Sequence, residues 1–273
     1  MLSALRLSTA LLLVALTCPA PAIAADEQPD IYILAGQSNM SGRGALDDLS
    51  AGERAVDPAI QLFGNDGQER PATEPLDDAA GQLDAVSADR MAAVGPGLFF
   101  ARALHRLNDR PILLVPCAKG GSSMAEWRPA DSRNTLYGSC LARVREANGR
   151  LAGVLWYQGE TDADKPTAIA ADWSRGFREL VARFRSDAAN PTVPVVMVQL
   201  SDRPDAEANR TRFANWSLVQ EQQGRVDLPC TSSVSARSLP RNADDLHLST
   251  AGQRRLGDML ASAMDDLHRR GCH

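Results

Sequence analysis

Ile31-Tyr32-Ile33-Leu34-Ala35-Gly36-Gln37-Ser38-Asn39-Met40 decides how the rest of this chain is read. Five apolar residues run without alternation and stop at a glycine. A short continuous apolar run closed by a turn residue is the pattern of a strand buried on both faces. Three more runs share it: Ile112-Leu113-Leu114-Val115, Gly153-Val154-Leu155-Trp156-Tyr157 and Val195-Val196-Met197-Val198-Gln199-Leu200. Ala59-Ile60-Gln61-Leu62-Phe63 is a weaker one. Between them, residues 97–107, 136–147, 168–184 and 249–267 carry apolar side chains at helical spacing, with Ser249 or Thr250 able to cap the last. Strands alternating with helices predict an α/β fold, with a central parallel sheet covered by helices on both faces. Residues 64–95 are rich in Gly, Pro, Asp and Ala and read as a long surface loop.

The 273 residues suit one domain, with no internal repeat and ordinary composition. The net charge is −5, with no basic run, which argues against a nucleic-acid partner. Met1–Ala24 reads as a secretory signal peptide: Arg6, an apolar core over 11–16, then Ala22-Ile23-Ala24 as a cleavage pattern. The apolar core is far shorter than the roughly 20 residues of a membrane span. Cys18 offers a lipidation site, which Leu16 and Thr17 before it fit poorly. Residues 25–273 are then a single exported domain, periplasmic or extracellular, with no membrane span. Four cysteines remain in it, and an exported chain permits disulfides. Cys230 with Cys272 is the expected pair, while Cys117, in an apolar strand, reads as a buried thiol; the sequence assigns Cys140 no partner.

Ser38 follows the first strand, where open α/β sheets hold their ligands. Met40 stands where the G-x-S-x-G nucleophile elbow needs its second glycine, so that motif is not matched. A serine needs a base to become a nucleophile. Asp244-Asp245-Leu246-His247 supplies one: an Asp three residues before a His reaches one ring nitrogen and leaves the other for the serine. Asp245 is the local rival to Asp244. His105 and His268 lie in amphipathic helices, with surface positions expected, and His273 is terminal. Lys119-Gly120-Gly121-Ser122-Ser123 and Gln158-Gly159-Glu160-Thr161-Asp162 follow two further strands. Their backbone amides and the Gln158 side chain suit an oxyanion hole. Glu160, Asp162 and Asp164 raise a metal site only weakly, because no histidine accompanies them.

Taken in order, four segments resemble the SGNH-hydrolase superfamily, and within it carbohydrate esterase family six and the sialate O-acetylesterase-like domain. They are Ile33–Met40, Cys117–Ser123 with Trp127 just beyond, Trp156–Asp162, and Asp244–His247. The resemblance implies a flavodoxin-like three-layer α/β/α sandwich. It implies Ser38 as nucleophile, His247 as base and Asp244 as orienting acid. It also implies an oxyanion hole from the Ser38 amide, Gly120 or Gly121, and Gln158, with Glu160 and Asp162 bracing the loop. Gly120 fits the family's G-x-[S/T] pattern through Ser122 and Gly121 through Ser123, so the sequence does not choose. The implied substrate is an acetylated carbohydrate such as xylan or a sialic acid, and the implied chemistry needs no metal or organic cofactor. A lipid or aryl esterase or thioesterase would share these residues, and a carbohydrate-binding protein would share the scaffold. Trp127, Trp173 and Trp216 are candidates for stacking on a sugar, with core packing the expected role for at least two. Neither the glycan nor the oligomeric state is legible.

Overall fold

The computed structural model describes residues 28–78 and 91–273. The expected signal peptide, Cys18 and residues 79–90 lie outside these. The described chain opens with strand β1 (Asp30–Gly36), every residue of which is buried. Then come α1 (Ser38–Ser41), α2 (Ala51–Arg54), β2 (Ile60–Phe63), β3 (Glu69–Pro71), α3 (Gly97–Asn108), β4 (Ile112–Pro116) and α4 (Leu136–Glu146). The second half holds β5 (Arg150–Tyr157), α5 (Glu160–Ala163), α6 (Thr167–Ala170), α7 (Trp173–Asp187) and β6 (Val195–Gln199). It ends with α8 (Glu207–Arg212), α9 (Trp216–Gly224), β7 (Thr231–Ser235) and α10 (Thr250–Arg269).

One seven-stranded sheet runs in the order β3-β2-β4-β1-β5-β6-β7. All neighbours are parallel except β2 with β3. This order puts β1 between β4 and β5. The three strands that precede the glycine- and glutamine-bearing segments are therefore adjacent, and their carboxyl ends share one edge. The chain passes from one side of β1 to the other between β4 and β5, a switch point of the kind that opens a crevice. Helices cover both faces, giving the three-layer α/β/α sandwich. On one face Leu34 lies against Gly97 of α3, and the Tyr32 ring meets Phe100 of α3 edge-on at 5.1 Å. Met264 of α10 fills the space over Gly153 on the same face. On the other face Trp156 packs against Trp127 at 5.1 Å and Phe177 of α7 at 5.9 Å.

Several sequence expectations need correction. The helix expected over 168–184 is broken into α6 and α7, and Ala168–Ala170 belong to the first. The 64–95 stretch is not all loop: β3 pairs antiparallel with β2, and Val94 bridges Gly44. Neither contact has an apolar signature. β7, Thr-Ser-Ser-Val-Ser, was missed because it is an edge strand with polar, partly exposed side chains. Cys117 is not a thiol. It is disulfide-bonded to Cys140, because α4 lays its buried face, Cys140 included, over the end of β4. Cys230 pairs with Cys272, as expected. Closing loops of this length contributes about 3–4 kcal/mol per bridge on the chain-entropy account. His105 and His268 are half-buried rather than on the surface. His268 bonds the Ala152 carbonyl through Nε2, and burial lowers its pKa. Trp127, Trp173 and Trp216 are all core residues, exposed by 1% or less.

Candidate active site

At the carboxyl end of β1 the chain turns sharply into α1. Gly36 makes this possible: its φ is +124°, and a Cβ there would stand 2.1 Å from the Tyr157 carbonyl oxygen of β5. The turn is pinned by the Gln37 amide, which donates to that same carbonyl at 2.8 Å. Ser38 then opens α1 with 4% of its surface exposed.

The loop before α10 brings His247 to it. Ser38 Oγ and His247 Nε2 are 2.9 Å apart, and His247 Nδ1 is 2.6 Å from Asp244 Oδ2. Asp244 Oδ1 accepts from the backbone amides of Leu246 and His247, each at 3.0 Å. Burial would push this carboxyl up, but the two amides and the imidazole together hold it below the ordinary Asp value. It is ionised at neutral pH and oriented toward the imidazole. Asp245, with φ +56°, points elsewhere: its carboxylate accepts from the amides of Asp205 and Ala206 and pairs with Arg241 at 2.8 Å.

Asn39 ties the two sides together, a role the sequence reading did not assign. Its Nδ2 donates to Glu160 Oε1 at 2.7 Å and its Oδ1 accepts from the Leu248 amide at 2.9 Å. Its own carbonyl accepts from Gln253 Nε2 of α10 at 3.1 Å. One asparagine thus joins the serine turn, the segment after β5 and the histidine loop. The signal available in the sequence was its position next to Ser38, at the end of a strand. Glu160 is 2% exposed and its Oε2 has no hydrogen-bond partner among the described residues. Burial raises its pKa, against the pull of Asn39.

The two loops expected to stabilise an oxyanion differ in what they present. Lys119 and Ser122 close a turn, the Ser122 amide donating to the Lys119 carbonyl, with Gly121 at φ +71°. Gly120 is buried and engaged, whereas Gly121 is exposed and its amide has no partner among the described residues. Gln158 is wholly buried. Its Nε2 donates to the Ser122 carbonyl at 3.1 Å and to Asp162 Oδ2, and its Oε1 accepts from Trp173 Nε1 at 2.8 Å. Both of its amide hydrogens are taken. Asp162 also accepts from the Met124 amide at 2.9 Å, and burial raises its pKa. Asp164 pairs with Arg212 instead. No group of three or more His, Cys, Asp or Glu able to hold a metal occurs among the described residues.

Residues 28–266 match the family described as "Carbohydrate esterase, sialic acid-specific acetylesterase". The chain belongs to that family. It is 32% identical over 250 residues to a probable carbohydrate esterase of Arabidopsis thaliana, covering 85% of this chain and 89% of the relative. An X-ray structure of an Arabidopsis thaliana protein is similar with a TM-score of 0.74 at 30% identity, covering 88% of this chain and 98% of that one. The fold is also shared with NanS, at TM-score 0.65 and 20% identity, over 91% of this chain and all of the other. A carbohydrate acetylesterase from Xanthomonas citri gives 0.65 at 24% identity, over 88% of this chain and 56% of that chain. As a member of the carbohydrate esterase family the chain is a hydrolase of acetylated carbohydrates. No helix among the described residues is long and apolar enough to cross a membrane.

Proposed function

We propose that the protein is a serine O-acetylesterase that removes acetyl groups from sugar hydroxyls through an acetyl-Ser38 intermediate. The observation that carries this is the unbroken series Ser38 Oγ, His247 Nε2, His247 Nδ1, Asp244 Oδ2, with contacts of 2.9 and 2.6 Å. His247 takes the serine proton as Oγ attacks the ester carbonyl carbon. It then gives that proton to the departing sugar oxygen. Water, deprotonated by His247 in turn, attacks the acetyl-enzyme and releases acetate and free Ser38. The negative charge on the tetrahedral intermediate is met by the Ser38 and Gly121 amides, neither of which has an acceptor among the described residues. Gly121 is preferred to Gly120 because Gly120 is buried, whereas Gly121 is exposed with an amide that has no partner among the described residues.

Acetate release from acetylated xylan, O-acetylated sialic acid, O-acetylated peptidoglycan and simple sugar acetates tests the reading. Release from at least one, lost in Ser38→Ala, is expected. Preference for long-chain aryl esters over acetates in the same assay would replace it with a lipid-type esterase. A chain that binds these glycans but neither releases acetate nor reacts with a fluorophosphonate at Ser38 would be a binding protein.

A further inference from the structure

The segments that follow β4 and β5 are held in different ways. β5 is paired on both sides up to its last residue: Tyr157 stands opposite Gly36 of β1 and Val198 of β6. The segment after it is tied to the serine turn by Gln37, whose Oε1 accepts from the Gly159 and Thr161 amides at 3.3 and 3.2 Å. β4 is paired with β1 as far as Pro116, but its ladder with β2 stops at Leu114, because β2 ends at Phe63. Past Leu114 the sheet grips β4 from one side only. The Cys117 and Lys119 amides donate to the Leu34 and Gly36 carbonyls of β1 at 2.8 and 3.0 Å. The Pro116 carbonyl faces the other way, where β2 has run out. α4 covers that side. Cys140 and Arg143, three residues apart on one face of α4, are both buried. Arg143 Nη1 donates to the Pro116 carbonyl and to Asn65 Oδ1 in the turn after β2, and Cys140 is bonded to Cys117. α4 is itself fixed to α7, through the Tyr137 ring on Phe184 at 4.8 Å and the Tyr137 hydroxyl on Asp187 at 2.6 Å.

We infer that the Cys117–Cys140 bridge and Arg143 are positioning groups for the reaction: they fix the end of β4 on its unpaired side and so set where the Gly121 amide meets the oxyanion. This rests on the esterase reading above. The far end of the turn is held by Ser122, whose carbonyl accepts from Gln158 and whose hydroxyl donates to the Gly36 carbonyl. The near end is held by the bridge. Gly121 lies between them, exposed and at φ +71°. The second bridge gives no such support, because Cys230 precedes β7 and joins the end of α10, at the opposite edge of the sheet. A displacement of about 1 Å at a reacting group costs up to roughly 100-fold in rate.

The test compares a nitrophenyl acetate with the matching thionoacetate in wild type, Cys117→Ala/Cys140→Ala, Cys230→Ala/Cys272→Ala and Arg143→Met. Sulfur is a weak hydrogen-bond acceptor, so a well-placed oxyanion donor favours the oxygen ester. Thermal melts check that each variant folds, and rates are read well below each melt. In Cys117→Ala/Cys140→Ala, kcat for the ester should fall roughly 10- to 100-fold with KM little changed, while the thionoester loses much less. Arg143→Met, with the bridge intact, should move the ester-to-thionoester ratio in the same direction. Cys230→Ala/Cys272→Ala should keep the wild-type ratio and kcat. It should nonetheless lose at least as much melting temperature, since that bridge closes the longer loop, 42 residues against 23. A wild-type ratio in folded Cys117→Ala/Cys140→Ala, or in folded Arg143→Met should the former not fold, would overturn the assignment. So would an equal fall in Cys230→Ala/Cys272→Ala, which would mark a general loosening. Wild type inert to every acetate ester, by contrast, would overturn the esterase reading itself and this role with it.

Discussion

The two sides of this site, that of the proposed nucleophile Ser38 and that of the proposed base His247, are built from different materials. Ser38, Gln37, Asn39, Gln158, Glu160 and Asp162 are all buried, at the ends of two adjacent parallel strands, β1 and β5. The Asp244 side chain is half exposed and that of His247 is 19% exposed, on a loop held by polar contacts. The carboxyl groups reflect this. Burial raises Glu160 and Asp162, while three hydrogen bonds lower Asp244. A nucleophile can be fixed by sheet hydrogen bonds and packing. A base must change charge during the reaction and needs an ionised partner, which a dry interior would penalise.

The contrast can be broken from either side. Ser38→Ala should cost at least about 10,000-fold in acetate release while leaving the melting temperature unchanged, since only one hydroxyl is lost. Asp244→Asn should cost roughly 100- to 10,000-fold in kcat, because the imidazole loses its oriented acceptor. The fold should survive, as the group is exposed; circular dichroism melts alongside kinetics check both. Asn39→Ala sharpens the comparison because it crosses between the two sides. It leaves Glu160 buried without its amide and unties Leu248. It should cost roughly 1–3 kcal/mol in denaturant unfolding and lower kcat as well, unlike the first two variants.

A further prediction concerns pH. Glu74 is half-buried as a residue, but its Oε1 is enclosed beside Met40 and Ser41, and burial pushes its carboxyl from 4.5 to about 8. The folded state thus holds a proton that the unfolded chain releases near pH 4.5. This contribution is full below pH 4.5 and lost as pH rises through about 8, on the order of 1 kcal/mol per pH unit between. Unfolding of Glu74→Gln should be correspondingly flatter with pH over that window.

The same contrast explains what was legible in the sequence. β1, β4, β5 and β6 announced themselves because strands buried on both faces must be apolar throughout. Asp244 and His247 were legible because their contact is local, three residues apart. Asn39 and Gln37 sat in plain view next to Ser38 without a role. Their partners, Glu160, Leu248, Gly159 and Thr161, are more than a hundred residues away, and no spacing rule reaches that far. Gln158 carried a role from resemblance alone, and only the structure shows where its hydrogens go. β7 and β3 stayed hidden because edge strands have no apolar run to betray them. Cys117 looked like a core thiol because a disulfide sulfur is as apolar as the strand around it.

The central claim is that Ser38 carries the acetyl group. Acid-quenching the enzyme during turnover of an aryl acetate, followed by peptide mass spectrometry, reads this directly. The account predicts one acetyl group on the peptide containing Ser38, absent from Ser38→Ala and lost on chasing with water before the quench. Sustained turnover with no acetyl on that peptide, or with full activity in Ser38→Ala, would contradict it.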